Sequence, residues 1–253
     1  MHLFYTPDIV TTRELPEEEA AHALRVLRLS AGDEVMLTDG VGHFFAARVA
    51  ETTGKRCFVD ILATQSPEPL WRGHLHLAIA PTKNIDRVEW LAEKATEIGF
   101  DELSLLDCRY SERRVVKTER LDKILVAAMK QSLKATKPVL HEMMPFERFV
   151  RQPFAGQRFI AHCYSQEEIE AGSESETDRS LSYRETAFRA PLREVLESDG
   201  DVVVMIGPEG DFSIDEVRLA LSLGFRSVSL GRSRLRTETA ALVAVHLMNI
   251  AHS

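Results

Sequence analysis

Residues 202–217 read VVVMIGPEGDFSIDEV, and the fold class turns on how this stretch is read. Val202 to Ile206 is a continuous apolar run, the pattern of a strand covered on both faces. Gly207-Pro208-Glu209-Gly210 then turns the chain. Ser213 and Glu216 have the S-x-x-E spacing of a capping box, which marks the start of a helix. Glycines on either side of Pro208-Glu209 let the backbone turn sharply and come close to a ligand. A Gly-rich strand-to-helix turn also offers free N–H groups to an anion or a polar heterocycle. A tight connection with no ligand fits the same residues.

Downstream, residues 227–251 read SVSLGRSRLRTETAALVAVHLMNIA. A strand ends at Gly231, a basic loop carries Arg232, Arg234 and Arg236, and Thr237 can cap a helix that is apolar on nearly all sides. Upstream, strands and helices alternate from His74 onward. Leu75, Leu77 and Ile79 alternate with His74, His76 and Ala78 in a strand. Val88, Leu91, Ala95 and Ile98 follow at helical spacing, ending at Gly99. A strand at Leu103–Leu106 precedes a helix with Leu121, Ile124, Leu125, Ala128 and Leu133 on one face. Further strands are predicted at Val139–Met143, Arg158–Cys163 and Ser227–Leu230, and helices near Leu192–Glu197, Ile214–Leu223 and Glu238–Ala251. Such alternation implies a mostly parallel sheet covered on both faces. Trp90, Phe100 and Phe159 read as core.

The first 70 residues differ. Pro16 and Glu17-Glu18-Glu19 open a short helix through Leu27, with acids at its positive end. Short strands at Glu34–Thr38, His43–Ala50 and Cys57–Thr64, separated by Asp39-Gly40 and Thr53-Gly54 turns, suggest a small antiparallel barrel or sheet. The Pro-containing segment 65–73 is the linker, giving domains at 1–70 and 71–253. Gln166–Ala190 is poor in apolar residues and leaves a strand end, so it reads as a lid or as a tolerated insertion.

Composition bounds the function. The 253 residues carry 31 Lys+Arg against 39 Asp+Glu, a net charge of −8. Six acids between Glu167 and Asp178 supply most of that excess, while 107–138 holds nine Lys/Arg against four Asp/Glu. Polyanion binding depends on local patches, so RNA stays open as a partner. Cys57, Cys108 and Cys163 form no CxxC pair, so no zinc knuckle or disulfide framework is expected. His74 and His76 share a strand face, yet no Cys or carboxylate is placed beside them by sequence, and no metal is expected. No secretion signal and no apolar run of about 20 residues is present, so no membrane association is expected and the cytoplasm is the default. P-loop, dinucleotide and nucleophile-elbow signatures are missing.

Taken together, Ile206-Gly-Pro-Glu-Gly-Asp-Phe-Ser-x-x-Glu216 and Leu230-Gly-Arg-Ser-Arg-Leu-Arg-Thr-Glu-Thr-Ala240 resemble the hallmarks of the ribosomal RNA small subunit methyltransferase E family, of the SPOUT class. His22-Ala-Leu-Arg-Val-Leu-Arg28 and Glu93-Lys-Ala-Thr-Glu-Ile-Gly99 match it as well, so the likeness runs in order along nearly the whole chain. The resemblance implies an amino-terminal PUA-like β-barrel for RNA docking, and a carboxyl-terminal α/β domain whose trefoil knot holds S-adenosylmethionine. It implies a homodimer that methylates N3 of one uridine in 16S rRNA of the small ribosomal subunit.

By the same resemblance the cofactor lies against His162, Cys163 and Tyr164, against Ile206, Gly207, Pro208, Glu209 and Gly210, and against Leu230, Gly231, Ser233, Leu235 and Thr239. Arg236 and Glu238 are the catalytic candidates. Arg236 would stabilise negative charge on uracil oxygens, and Glu238 would accept the N3 proton or orient that arginine. Arg25, Arg28, Arg113 and Arg114 would meet RNA phosphates. Two positions depart from the family pattern. Asp211 stands where the family has a glycine, at a position needing positive φ. Lys134 stands where the family often has Arg, without bidentate geometry. Two other readings are a non-catalytic RNA-binding assembly factor on the same scaffold, and a methyltransferase acting on another RNA such as tRNA.

Overall fold

A computed structural model describes residues 2–172 and 189–253. The chain divides into two compact units, residues 1–69 with 125–137, and residues 70–124 with 138–253.

In the first unit, β1 (Leu3–Tyr5), β2 (Glu34–Thr38), β3 (Phe44–Thr53) and β4 (Arg56–Gln65) form a sheet in that order. β1 runs parallel to β2 and the other pairs are antiparallel, so the sheet is mixed. Alternate residues point inward, as period-two geometry requires. Val35, Leu37, Phe45, Ala47, Val49, Cys57 and Val59 join Phe4, Ile9, Leu15, Ala20 and Ala23 in one core. The short helix α1 (Ile9–Thr12) precedes α2 (Glu17–Ala21), which continues as a π turn over His22–Val26. Residues 125–137 complete the unit. Thr38 Oγ1 and the Gly42 N–H both donate to the Ala135 carbonyl, at 3.0 and 3.1 Å, and the Lys137 N–H donates to the Gly40 carbonyl at 2.8 Å.

The second unit contains β5 (Leu75–Ile79), α3 (Ile85–Ile98), β6 (Glu102–Asp107), α4 (Thr118–Gln131, whose second half counts with the first unit), β7 (Val139–Leu140), β8 (Met144–Pro145) and α5 (Phe146–Val150). Then come β9 (Gln157–Ala161), α6 (Gln166–Ala171), β10 (Ala190–Pro191), α7 (Leu192–Val195), β11 (Val202–Ile206), α8 (Ile214–Ser222), β12 (Arg226–Ser229) and α9 (Thr237–His252). The strands follow the order β10-β12-β9-β11-β5-β6-β7, with β8 beside β6, and every pair is parallel. All five residues of β5 and of β11 are buried, because helices cover both faces. After β12 the last helix packs on α3, β5 and β11. The connection 230–236 therefore crosses from one side of β9 and β11 to the other.

Several expectations change at this level. The strand expected at Val139–Met143 is two short pieces broken at residues 141–143. Leu133 leaves the helical face, with φ +53 and 65% exposure just past the end of α4. Phe100 and Phe159 are core, but Trp90 is 44% exposed. Lys134, by contrast, is buried. The expected lid or insertion at Gln166–Ala190 begins as α6, capped by a reciprocal Ser165–Glu168 box. Its residues 173–188 and the end of the acidic tract lie outside the described residues. Among the described residues no helix is long and apolar enough to cross a membrane.

Candidate active site

The loops leaving the carboxyl ends of β9, β11 and β12 converge on one cavity of about 150 Å³. In parallel α/β sheets this is the end where ligands bind. His162 and Cys163 line it from the first loop, and Ile206, Gly207, Pro208 and Gly210 from the second. Leu230, Gly231, Ser233 and Leu235 line it from the third. Arg189, Asp211, Ser229 and Arg234 also reach it. Three of the sequence candidates sit elsewhere. Tyr164 is buried behind the wall, where its Oη donates to the Phe212 carbonyl at 2.7 Å. Glu209 accepts the Lys83 N–H at 2.9 Å, tying its loop to the one after β5. Thr239 belongs to an adjoining cleft.

Local chemistry explains how the second loop holds its shape. Asp211 has φ +69, in the region that non-glycine residues seldom adopt and that Asp tolerates better than most. Its N–H closes a turn onto the Pro208 carbonyl at 2.9 Å. One carboxylate oxygen accepts the Phe212 N–H and the other accepts the Cys163 N–H, both at 2.8 Å. The residue that departs from the family pattern thus links two of the three loops by a bond no glycine can make. Beyond it, the Ser213 and Glu216 side chains cap each other's backbone at the head of α8. Glu216 also accepts the Arg109 N–H at 2.8 Å.

Gly210 lines the cavity, which suggests that a side chain there would enter ligand space. Instead its Cβ would point at Tyr110, 3.1 Å from that residue's Cβ. Gly207 is tighter, with a Cβ only 3.0 Å from the Phe212 nitrogen.

His162 is buried and neutral. Burial, reinforced by the nearby Arg189 guanidinium, lowers its pKa to about 3. Its Nδ1 accepts the Tyr164 N–H at 3.2 Å, so Nε2 carries the proton toward Ser227 Oγ at 2.7 Å, and Arg189 donates to its carbonyl. This imidazole shapes the wall and is not a proton acceptor near neutral pH. Cys163 keeps surface toward the cavity, yet the protein around its sulfur and the Asp211 carboxylate push the thiol up to about 11. It is therefore a neutral wall group and not a nucleophile.

The cavity suits a ligand with a flat aromatic heterocycle and a charged end. Ile206, Val228, Leu230 and Leu235 give an apolar shelf, while Arg189 and Arg234 supply cationic donors. Gly231 adopts φ +132 with open space where a Cβ would be, a cradle that a side chain would fill.

Next to this cavity, and sharing Arg234 and Leu235 with it, is an open cleft of about 640 Å³. Arg236 and Glu238 line it from the start of α9, facing Asp86, Arg87 and Trp90 on α3. Glu238 is only 7% exposed, and its Oε1 lies 3.8 Å from Arg87 Nε. The remaining arginine candidates have different surroundings. Arg25 and Arg28 are exposed on the first unit and make no ion pair among the described residues. Arg113 donates to the Thr82 and Lys83 carbonyls at 3.1 and 2.6 Å, and Arg114 pairs with Asp107 at 2.6 Å.

His74 and His76 do meet a carboxylate. His74 Nε2 is 2.6 Å from Glu102, His141 Nε2 is 2.5 Å from it, and His76 bonds Ser104 at 2.9 Å. Burial lowers His76 to about 4, while the hydrogen bond to Glu102 raises His74. Among the described residues no group of three or more His, Cys, Asp or Glu is arranged to hold a metal ion.

The sequence matches an RNA methyltransferase domain over residues 69–249 and an RNA methyltransferase PUA domain over residues 15–62. Over 234 residues it is 28% identical to a Rickettsia conorii protein named ribosomal RNA small subunit methyltransferase E, covering 92% of this chain and 87% of that one. Its structure is similar to that of a "probable rRNA-methyltransferase" from Porphyromonas gingivalis, with TM-score 0.86 and 43% identity over 100% of this chain and 98% of the other. It is also similar to a Legionella pneumophila chain described as a methyltransferase in complex with bound SAM, with TM-score 0.77, 27% identity, and 94% and 91% of the two chains covered.

Proposed function

Because the chain belongs to the ribosomal RNA small subunit methyltransferase E family of RNA methyltransferases, we propose that it methylates N3 of one specific uridine in 16S rRNA, using S-adenosylmethionine. The observation that carries this reading is the juxtaposition of two spaces. A three-loop cavity with an apolar shelf and cationic donors adjoins a cleft holding a buried carboxylate and arginines.

Leu230, Leu235 and Ile206 would pack on the faces of the cofactor's adenine ring, and Arg189 or Arg234 would hold its carboxylate end. When bound, the cofactor supplies an electrophilic methyl group on a sulfonium sulfur. Uracil N3 carries a proton at neutral pH and becomes nucleophilic only as that proton leaves. Glu238 accepts the proton, and Arg236 donates to a uracil oxygen as negative charge spreads onto it. Positioning by the α9 start supplies much of the rate, since both groups sit on a regular helix end rather than on a free loop.

The finer architecture belongs to the same proposal. Residues 1–70 act as a PUA-like barrel, docking RNA through Arg25 and Arg28. Arg113 and Arg114 add what their committed guanidinium groups leave free. A trefoil knot in 71–253 is supported by the path of 230–236, which must cross the ends of β9 and β11 before α9 packs on α3. A homodimer is supported by α9, which is apolar around most of its circumference and leaves Ile250 59% exposed, and the cytoplasm is the compartment that an rRNA substrate implies.

The test is methyl transfer from labelled S-adenosylmethionine to small ribosomal subunits from a strain lacking this gene, with product nucleosides identified by mass spectrometry. N3-methyluridine at a single 16S site is the expected product. Salt-sensitive subunit binding without transfer would instead support the assembly-factor reading, and transfer to tRNA alone would move the substrate.

A further inference from the structure

The cleft beside the cofactor cavity has features that neither packing nor the Arg236–Glu238 pair explains. α3 buries Val88, Leu91 and Ala95 almost completely, yet it leaves the indole of Trp90 44% exposed on the cleft. Arg87 stands one turn earlier on the same helix face, at the i,i+3 spacing that makes side chains neighbours. Opposite them, Glu238 is more than nine-tenths buried, and its Oε2 has no hydrogen-bond partner among the described residues. A buried carboxylate oxygen without a donor is costly, and the missing donor is one a ligand can bring. The nearest cation, Arg87 Nε, is 3.8 Å from the other oxygen, beyond a good hydrogen bond.

The cleft is therefore lined by one buried acceptor, Glu238, and by two guanidinium donors, Arg87 and Arg236. The pairing edge of uracil is its complement, with one N–H between two carbonyl oxygens. Cytosine would turn a lone pair toward the carboxylate and an amino group toward an arginine. Bases splayed out of RNA are held by stacking on aromatic side chains while their edges are read. Resting on the uridine methyltransferase reading above, we infer that this cleft is the pocket for the target base. Trp90 is the surface on which the uracil stacks, and Arg87 is the donor that, with Glu238, selects uracil over cytosine.

The experiment compares wild type, Trp90→Ala, Trp90→Phe and Arg87→Ala. It measures methyl transfer to undermethylated small subunits, calorimetric binding of S-adenosylhomocysteine, and solution mass by light scattering. Trp90→Ala should lower kcat/KM by about 10- to 100-fold, mainly through KM, the scale of lost base–aromatic stacking. Trp90→Phe should recover most of that loss, because it restores an aromatic face. Arg87→Ala should lower kcat/KM as well, with cofactor affinity and solution mass unchanged in all variants. An unchanged kcat/KM in Trp90→Ala would overturn the pocket while leaving the methyltransferase reading intact. A change in solution mass in Trp90→Ala would overturn it too, by making this face a contact between copies. A wild-type protein that transfers no methyl group to any RNA would refute the underlying reading, and the pocket with it.

Discussion

Asp211 offers the sharpest test of how the cofactor cavity is held together. Its carboxylate accepts the Cys163 N–H across the gap between two loops, and its backbone sits at φ +69. Replacing it by alanine removes a charge-assisted bond worth about 1.5–3 kcal/mol. It also places a residue with no side-chain compensation in a left-handed conformation, at about 1 kcal/mol more. Asp211→Ala should therefore cost about 2.5–4 kcal/mol in total. Asp211→Gly loses the same bond but relieves the backbone, so it should cost only about 0.5–2 kcal/mol. For a chain of this size about 2–4 °C of Tm accompanies each kcal/mol. Thermal melts with and without S-adenosylmethionine, and calorimetric cofactor titrations, would read both effects. The order expected is wild type, then glycine, then alanine, with cofactor affinity falling alongside stability. If glycine equalled or exceeded wild type in Tm and in affinity, the link between the loops would contribute nothing, and the account of the cavity wall would be wrong.

Four further outcomes are expected. Gly210→Val should lower Tm by overpacking against Tyr110, a penalty of about 1–3 kcal/mol; a loss of cofactor affinity with Tm intact would mean that its side chain enters the cavity after all. Arg236→Ala should cut kcat while cofactor affinity stays within about threefold, since the residue lines the adjoining cleft and not the cavity; loss of both together would move it to the cofactor side. Replacing Arg25 and Arg28 together by alanine should weaken RNA binding and reduce its salt dependence by about two phosphate contacts, and an unchanged slope in a salt titration would refute amino-terminal docking. Below pH 6.5 the neutral, buried His76 and His162 should destabilise the fold, because the unfolded chain takes up protons that these two sites refuse. Each contributes about 1.4 kcal/mol per pH unit down to its own lowered pKa. His74, whose pKa is raised, acts in the opposite sense and loses its contribution as pH rises. A urea midpoint that stays constant from pH 7 to 5 would contradict this.

The strands that build the site were legible because burial on both faces demands apolar runs. Val202–Ile206 matches β11 residue for residue, and the alternation read over His74–Ile79 overlaps β5 with one residue too many at its start. The second and third loops were legible because Gly207, Gly210, Gly231 and the Ser213–Glu216 box punctuate them, whereas the first, at His162–Tyr164, was placed by the family resemblance alone. What escaped was set by contacts distant in sequence. β1 is three residues long and exists only because β2 pairs with it. Trp90 has a core-like residue type at a helical position, and nothing local says that its neighbour is a cleft. Arg189 reaches the cavity from the end of a polar stretch that looked like an insertion. Glu102 lies 28 residues from His74 and meets it only because their strands are adjacent in the sheet. The glycine missing at 211 did flag a positive φ, but the bond to Cys163 could not be read from it.

The return of residues 125–137 to the first unit bears on how the protein is made. Thr38, Gly40 and Gly42 complete their hydrogen bonds with Ala135 and Lys137, which are synthesised only after β5, α3 and β6. A nascent chain that has exposed β1 to β4 already holds the apolar core of that unit but lacks these hydrogen bonds, so the unit is completed only once residue 137 has emerged. A recombinant fragment ending near residue 70 would carry the same gap. It should be less cooperative in unfolding than a fragment in which 125–137 is supplied through a short linker. For this chain, the natural cut between units is not a single point in the sequence.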